Sequence, residues 1–387
     1  MGVPITYNIR NLVERKGTTL MTAVGIALTV AVLVAAMALT AGLDSVFAGS
    51  GDPRQVLVLR QGVNAELSSS VSSETYQIVR RLPGIEIDKS GEPMVSPEAV
   101  TVVNLPSVDN PEGMNVTVRG MLPIGLAMRV VTVSQGNMFD PGLRQVVVGE
   151  SIARRYPDAR IGKQVRFGRG MWEVVGVFKS GDSAANSEIW TNLDQLRGDF
   201  ERAGGSSSLL VRTTSPDAID ALTKTIEDDQ RLGSGVIPER KYYADMTSSG
   251  APLKYLGFSV AIIMAIGSAF AATNTMYAAV ARRGKEIGTL RALGFGRGAI
   301  LLSFMTESIC LALVGGILGV LLTIPINGLT TAVGSFKTFS EVAFKFRIGP
   351  DAIAKGLIFA ALIGALGGFL PAFSAARKGI VQAMRDS

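Results

Sequence analysis

Four stretches of this chain are long and apolar enough to cross a bilayer, and they are spaced one against three. A hydrocarbon core needs about 20 apolar residues in a helix, and residues 18–42, 255–281, 298–329 and 353–376 each supply them. The third contains Pro325, so it is expected to tilt, kink or leave the bilayer near that residue. Basic residues set the orientation. Arg10, Arg15 and Lys16 precede the first span, and Arg282, Arg283, Lys285, Arg291 and Arg297 separate the second from the third. Arg377, Lys378 and Arg385 follow the fourth. Short basic loops stay on the cytoplasmic side. All three sets do so only with four spans and both termini inside. The first span has a rival reading as a signal peptide cleaved near Ala36-Met37-Ala38. Its apolar run exceeds the usual 7–15 residues of a signal core, so an uncleaved span is expected.

The chain divides accordingly. A cytoplasmic segment 1–17 leads into span 18–42, and residues 43–254 form an extracytoplasmic domain. Span 255–281 follows, then a cytoplasmic segment 282–297, span 298–329, an extracytoplasmic loop 330–352, span 353–376 and a cytoplasmic tail 377–387. With 47% hydrophobic residues and mean hydropathy +0.33, the composition fits this mixture of membrane and aqueous parts.

Within 43–254 the long apolar runs give way to short alternating ones. Residues 55–60, 115–119, 129–133, 144–148, 163–167 and 171–177 read as strands, rich in Val and separated by Gly, Pro and Asp. Residues 72–82 read as a helix stopped by Pro83-Gly84. Ser215-Pro216-Asp217 starts another, with Ile219, Leu222 and Ile226 on one face. A further helix is expected over 241–254, leading into the second span. The Gly- and Ser-rich run 201–208 reads as an internal linker or turn. The fold class predicted is a membrane α-helical bundle of four transmembrane helices. A large α+β extracytoplasmic domain, of two lobes, is inserted between helices 1 and 2.

Charge and composition remove several function classes. Formal net charge is +6, yet residues 42–254 hold 23 Lys+Arg against 26 Asp+Glu, a net of −3. The basic excess therefore flanks the membrane, which argues against a nucleic-acid partner. The chain has no histidine and one cysteine, Cys310, inside an apolar run. No His-dependent triad, Cys-His dyad or His- or Cys-ligated zinc site can be built, and the aqueous domain relies on its own core instead of disulfides. A Ser-Lys hydrolase is the catalytic arrangement left open. The chain carries no Gly-x-x-x-x-Gly-Lys-[Ser/Thr] phosphate loop. Arg154-Arg155 and the basic run from Arg160 to Arg169 are interleaved with Glu150, Asp158 and Glu173, as in a solvated mixed-charge surface.

Two constellations stand out in the membrane part. Small residues recur at spacing four: Gly315 and Gly319, Gly364 and Gly368, Gly267 and Ala271, Ala31 and Ala35. Such pairs let helices approach closely, within one subunit or between two. Glu307 lies deep in the third span, where an acid is costly. At 1.5 Å rise per residue it sits level with Asn274 of the second span. A hydrogen bond between them that ties the hairpin is expected, with a proton or substrate relay as the other reading.

The loop between these spans carries Ile287, Leu290 and Leu293 at helical spacing among charges, so it predicts a short amphipathic helix ending near Gly294. The block from Met276 to Gly294, MYAAVARRGKEIGTLRALG, followed by Ile300, Glu307, Gly315-Gly316 and Gly319, resembles the hallmark segment of the MacB/FtsX-type ABC transporter permeases. So do Gly367 to Ala372, Ala375 to Arg377 and Gln382 to Arg385 near the C-terminus. The opening Asn8 to Leu12 with Gly25-Ile26 is also similar. In the aqueous domain Val118 to Gly120, Gly136 to Phe139, Val146 to Glu150, Ile161-Gly162 and Val174 to Val177 resemble the periplasmic core of the MacB-like branch.

The resemblance implies a multi-pass subunit of the bacterial cytoplasmic (inner) membrane, itself non-catalytic, that binds no cofactor. ATP and Mg would sit on two copies of a separate ABC ATPase. A second permease copy completes the assembly as a homodimer or related heterodimer, and a periplasmic adaptor with an outer-membrane channel is a candidate further partner. The ATPase-coupling helix is expected to dock through Arg282, Arg283, Lys285, Glu286, Ile287, Leu290, Arg291 and Leu293. The function implied is transmission of ATPase motion to the periplasmic domain for export of a periplasmic substrate. The alternatives are lipoprotein release, regulation of cell-wall hydrolases, or a membrane sensor or assembly scaffold without transport.

Overall fold

The computed structural model describes residues 16–108, 110–200, 205–247, 251–335 and 338–378. The chain opens with α1 (Lys16–Ala48), β1 (Gln55–Arg60), β2 (Val71–Ser72), α2 (Ser73–Val79), β3 (Val95–Leu105), β4 (Met114–Met121), α3 (Pro123–Ala127), β5 (Thr132–Gly136) and β6 (Gln145–Gly149). It continues through α4 (Glu150–Arg155), β7 (Gln164–Phe167), β8 (Gly170–Lys179), β9 (Glu188–Asn192), α5 (Leu193–Asp199), β10 (Gly205–Ser206), β11 (Ser208–Arg212), α6 (Ala218–Asp228), β12 (Ser234–Pro238) and α7 (Glu239–Thr247). Then come α8 (Ala251–Arg282), α9 (Gly284–Ala292), α10 (Arg297–Thr323), β13 (Thr330–Gly334), β14 (Glu341–Lys345) and α11 (Pro350–Arg377). Two compact units result. One comprises Met1–Gly42, Pro252–Leu329 and Lys345–Ser387; the other comprises Leu43–Ala251 and Thr330–Phe344.

In the first unit four helices are long and apolar enough to span: Thr19–Ala48, Pro252–Arg282, Arg297–Ile326 and Pro350–Arg377. Glycines set their packing. A Cβ on Gly315 would lie 2.8 Å from the Ala23 carbonyl oxygen, and one on Gly319 would lie 2.5 Å from that of Ala27, so α10 meets α1 backbone to backbone. A Cβ on Gly364 or Gly368 of α11 would likewise lie 2.6 Å from the Ala312 Cβ or 2.5 Å from the Ser308 Cβ of α10. These four glycines therefore serve contacts inside one subunit. Gly267 differs, with nothing within 4 Å, and its neighbour Ala271 is exposed. Ala31 and Ala35 are half-buried. Hydroxyls add cross-helix bonds in place of water: Thr22 with Thr275 and Thr29 with Ser268, both at 2.7 Å, join α1 to α8. The third helix gives way to a 3-10 turn, Ile324–Ile326, at Pro325, where the ring removes the backbone donor.

The second unit is built on a ten-stranded sheet ordered β12-β1-β11-β3-β4-β9-β6-β8-β5, with β7 also on β8. The β4–β9 and β6–β8 pairs are parallel and the rest antiparallel. Side chains alternate between faces along each strand. Val146 and Val148 of β6 enter one core with Ile152, Trp172 and Ile189, while Val147 enters the opposite one with Phe178 and Trp190. A separate core lies under β1, β11 and β12, where Ile219, Leu222 and Ile226 of α6 pack on Val56, Val58 and Leu209. The aqueous domain is thus α+β with more than one core, built on the ten-stranded sheet together with the two-stranded β2–β10 and β13–β14 pairs.

Several elements depart from the sequence reading. Strands β3, β9, β11 and β12 are additional. The 201–208 run is partly strand, with β10 and the start of β11 in it, while 201–204 lie outside the described residues. The opening motif 8–12, the basic Arg10 and Arg15, and the closing 382–385 motif also lie outside them. The expected 241–254 helix is α7 followed by α8, with 248–250 outside. The 330–352 segment is not simply a loop. It forms the β13–β14 hairpin, and Thr330–Phe344 belongs to the sheet-containing unit.

Candidate functional site

The basic loop folds as expected into a helix, α9, separated from α8 by Arg283, whose φ of −102° and ψ of 20° are non-helical. Gly294 ends the turn at φ +94°, a conformation that suits glycine. The helix presents two faces. Positions 287 and 290 share one and 286, 289 and 293 the other, since residues three and four apart lie above one another. Ile287 is 1% exposed and packs with Met276, Val280, Ile300, Phe304, Ala372 and Ala375. Leu290 is half-buried and lines a small crevice with Ile300, Ser303 and Phe304. Arg282, Lys285, Glu286 and Thr289 are exposed, and Leu293 is 73% exposed.

This geometry corrects the list of partner-facing residues. Ile287 is core. Arg283, with its side chain 5% exposed, points inward, and its Nη1 donates to Glu307 Oε2 at 2.8 Å. Its Nε donates to Glu286 Oε2 at 3.0 Å, and the guanidinium carbon lies 5.2 Å from the Phe304 ring centroid. Arg291 also turns inward: its Nη1 donates to the Ala376 and Lys378 carbonyls at 3.0 and 3.3 Å, at the end of α11. The expected Glu307–Asn274 hydrogen bond does not form. Glu307 takes the arginine instead, because a buried carboxylate is better compensated by a full charge than by an amide. Asn274 is exposed and makes no polar contact among the described residues. The pair Arg283–Glu307 fixes the start of α9 to α10, and Arg291 fixes its end to α11.

A second charged centre, in the sheet unit, was not legible from the sequence. Arg119 on β4 is 3% exposed and surrounded by three carboxylates. It donates to Glu66 at 2.8 and 2.9 Å, to Glu98 at 2.7 Å and to Glu188 at 3.0 and 3.1 Å. Arg129 adds a two-pronged contact to Glu98 at 2.6 and 2.8 Å. Strand pairing creates the cluster, with Ala99 opposite Gly120 on β3–β4 and Arg119 opposite Trp190 on β4–β9. Burial alone pushes the Glu66 carboxyl up, but the Arg119 charge and hydrogen bond and the Ser208 hydroxyl outweigh it, and Glu66 lies below its ordinary value. Among the described residues no cluster of three or more His, Cys, Asp or Glu is arranged to hold a metal ion.

Comparison with known proteins bears on what these sites belong to. Residues 19–229 match the MacB-like periplasmic core domain, and residues 258–380 match the FtsX-like permease C-terminal domain. The chain belongs to the MacB/FtsX-type ABC transporter permeases. It is 27% identical to the macrolide export ATP-binding/permease protein MacB of Agrobacterium fabrum, over 95% of this chain and 58% of that protein. It is 26% identical to the uncharacterized ABC transporter permease MJ1507 of Methanocaldococcus jannaschii, over 62% of this chain and 61% of that one. This chain thus spans about three-fifths of the length of these two relatives. Among solved structures, the extracellular domain of the transporter YknZ from Gram-positive bacteria covers 47% of this chain and is itself covered to 99%. Its identity is 18% and its TM-score 0.36.

Proposed function

We propose that this chain is the non-catalytic membrane subunit of an ABC transporter of the bacterial inner membrane. It receives the stroke of a separate ATPase at α9 and passes it to its extracytoplasmic domain, with both termini cytoplasmic, to export a periplasmic substrate. The observation that carries this reading is the two-faced construction of α9. Its inner face is fixed to α10 and α11 by Arg283–Glu307, Ile287 and Arg291. Its outer face leaves Glu286, Thr289 and Leu293 exposed, beside the exposed Arg282 at the end of α8. An exposed leucine beside charges on a helix braced to two spans is suited to receive a protein partner and to move the spans with it.

A second permease copy belongs to the same proposal. Only 11% of the apolar window of α8 is buried within the chain. Asn274, Ala271 and the uncontacted Gly267 lie at i, i−3 and i−7 on its outer surface. An amide facing hydrocarbon is poorly solvated, and a facing copy of α8 would supply its partner.

Exchanging Leu293 for Asp or Glu286 for Lys is expected to abolish co-purification of the ATPase with the full-length chain from native membranes. Insertion should stay normal, because the basic residues that set orientation remain. If both variants recover the ATPase as the parent does, α9 is not the coupling element.

A further inference from the structure

A cavity of about 210 Å³ opens within the sheet unit. Its wall is built from the segment that follows α1, the residues after α3, the β8–β9 connection and the start of α7. We propose that this cavity binds a small organic molecule bearing a protonated amine, with the Glu239 carboxylate as counter-ion. The proposal concerns a ligand site in the outer domain and does not depend on the coupling role of α9.

Glu239 stands at the start of α7, on the wall of the cavity. It is 5% exposed, and its Oε2 accepts from the Asp52 backbone N–H at 2.8 Å. Its other oxygen has no hydrogen-bond partner, and no cation pairs with it, among the described residues. Arg129, the guanidinium on the same wall, is spent on Glu98. Asp52 is compensated separately, 3.6 Å from Arg212 and 3.8 Å from Arg54.

Charge balance points the same way. Among the described residues the cations acting on Glu66, Glu98, Glu188 and Glu239 are Arg119 and Arg129, which leaves two negative charges over when all are ionised. Burial raises the Glu239 carboxyl above its ordinary value, and the Arg129 charge offsets this only in part, so a further cation nearby would be stabilising.

Neighbouring polar groups are also unclaimed. The Ser183 hydroxyl is buried without a partner, the Tyr243 hydroxyl makes no hydrogen bond among the described residues, and Gln55 uses only its amide nitrogen, on the Met128 carbonyl. A buried polar atom left unsatisfied, as at Ser183, calls for a ligand or water. Met128, Val130 and Ala185 complete the wall with apolar surface. Taking about 30 Å³ per water, the space holds roughly seven, far more than a bare ion needs. It falls short of the ~300 Å³ where sites for drug-sized ligands begin. A small carbon skeleton with one ammonium fits charge, size and lining together.

The test uses the full-length chain in lipid nanodiscs and saturation-transfer NMR, with empty nanodiscs subtracted. The probes are cyclohexylamine and benzylamine, paired with cyclohexanol and benzyl alcohol. The amines are expected to bind at least about tenfold more tightly than the alcohols. Glu239→Gln, which keeps the shape and the acceptor for Asp52, should bring the amines down to the alcohols. Ser183→Ala should weaken them a few-fold and gives a second reading if the first variant folds poorly. Asp194→Asn, on the exposed start of α5, should change nothing. No amine binding above empty nanodiscs, equal binding of amines and alcohols, or undiminished binding in both cavity variants overturns the proposal. Displacement of the amines by potassium chloride, tested against sodium chloride at equal ionic strength, overturns the organic class of the ligand.

Discussion

Arg119 in the sheet unit and Arg283 in the helical unit are both arginines with almost no exposed surface, yet their surroundings differ in kind. Arg119 is enclosed by three carboxylates on separate strands and loops, all themselves buried, and five hydrogen bonds hold it in one place. Arg283 pairs with the buried Glu307 and also with Glu286, whose side chain is 53% exposed. The first arrangement is a closed knot in a rigid sheet. The second has one end open to the aqueous face of α9, so a partner that engages Glu286 alters the balance at Arg283 directly. A fixed platform and an adjustable joint are made from the same residue types, and the exposure of one carboxylate separates them.

The largest effect is expected from untying the knot. Arg119→Met leaves Glu66 and Glu188 buried without their cation, which should destabilise the sheet unit by about 3–5 kcal/mol. Denaturant unfolding followed by fluorescence of Trp172 and Trp190, both fully buried, measures it. An unchanged midpoint would mean that water already compensates the carboxylates.

The joint should break less severely and be repairable. Arg283→Met is expected to cost about 3 kcal/mol by stranding Glu307, and the double variant Arg283→Met/Glu307→Met should regain most of that stability, since an apolar pair needs no compensation. ATPase coupling should stay impaired in both, as the tie from α9 to α10 is gone. Recovery of coupling in the double variant would show that the ion pair is only structural. Between packed helices, Gly319→Val should cost roughly 1–3 kcal/mol by forcing α10 off the Ala27 backbone. The same change at Gly267 should be near neutral in the isolated chain, because nothing lies within 4 Å.

The smallest effect is a pH dependence. Glu66 titrates lower when folded than when unfolded, so its contribution is complete above the ordinary carboxylate value and fades as pH falls through the depressed folded one. Acid unfolding of the sheet unit should therefore move to higher pH in Glu66→Gln, read by the same tryptophan signal. A shift to lower pH would reverse the sign of the argument.

The spans, the α9 helix and the α+β character of the outer domain were legible because long apolar runs and period-2 or period-3.6 patterns are local signals. What escaped was non-local. β3 and β9, strands missing from the sequence reading, carry Glu98 and Glu188, which the fold brings to Arg119. The expected partner-facing set erred on Ile287 and Arg283 for a related reason. Amphipathic spacing identifies a helix but does not say which face meets the rest of its own chain. Sequence depth placed Glu307 beside Asn274, while side-chain direction sent it to Arg283.

The β13–β14 hairpin has a consequence for biosynthesis. The sheet unit takes Thr330–Phe344 from beyond the third span, and Arg155 and Tyr156 both bond Glu341. Thr117 bonds Ser340 at 2.6 Å, and the Ser187 hydroxyl accepts the Ala343 N–H at 2.9 Å. At roughly 5–20 residues per second, these groups wait about 5–20 s after Ala251 is made before their partners emerge. A ribosome that stalls within the third span therefore leaves a domain that lacks Ser340, Glu341 and Ala343, the groups that Thr117, Arg155, Tyr156 and Ser187 bond. Completion of the sheet unit thereby reports that synthesis has passed the second and third spans, before the fourth is made.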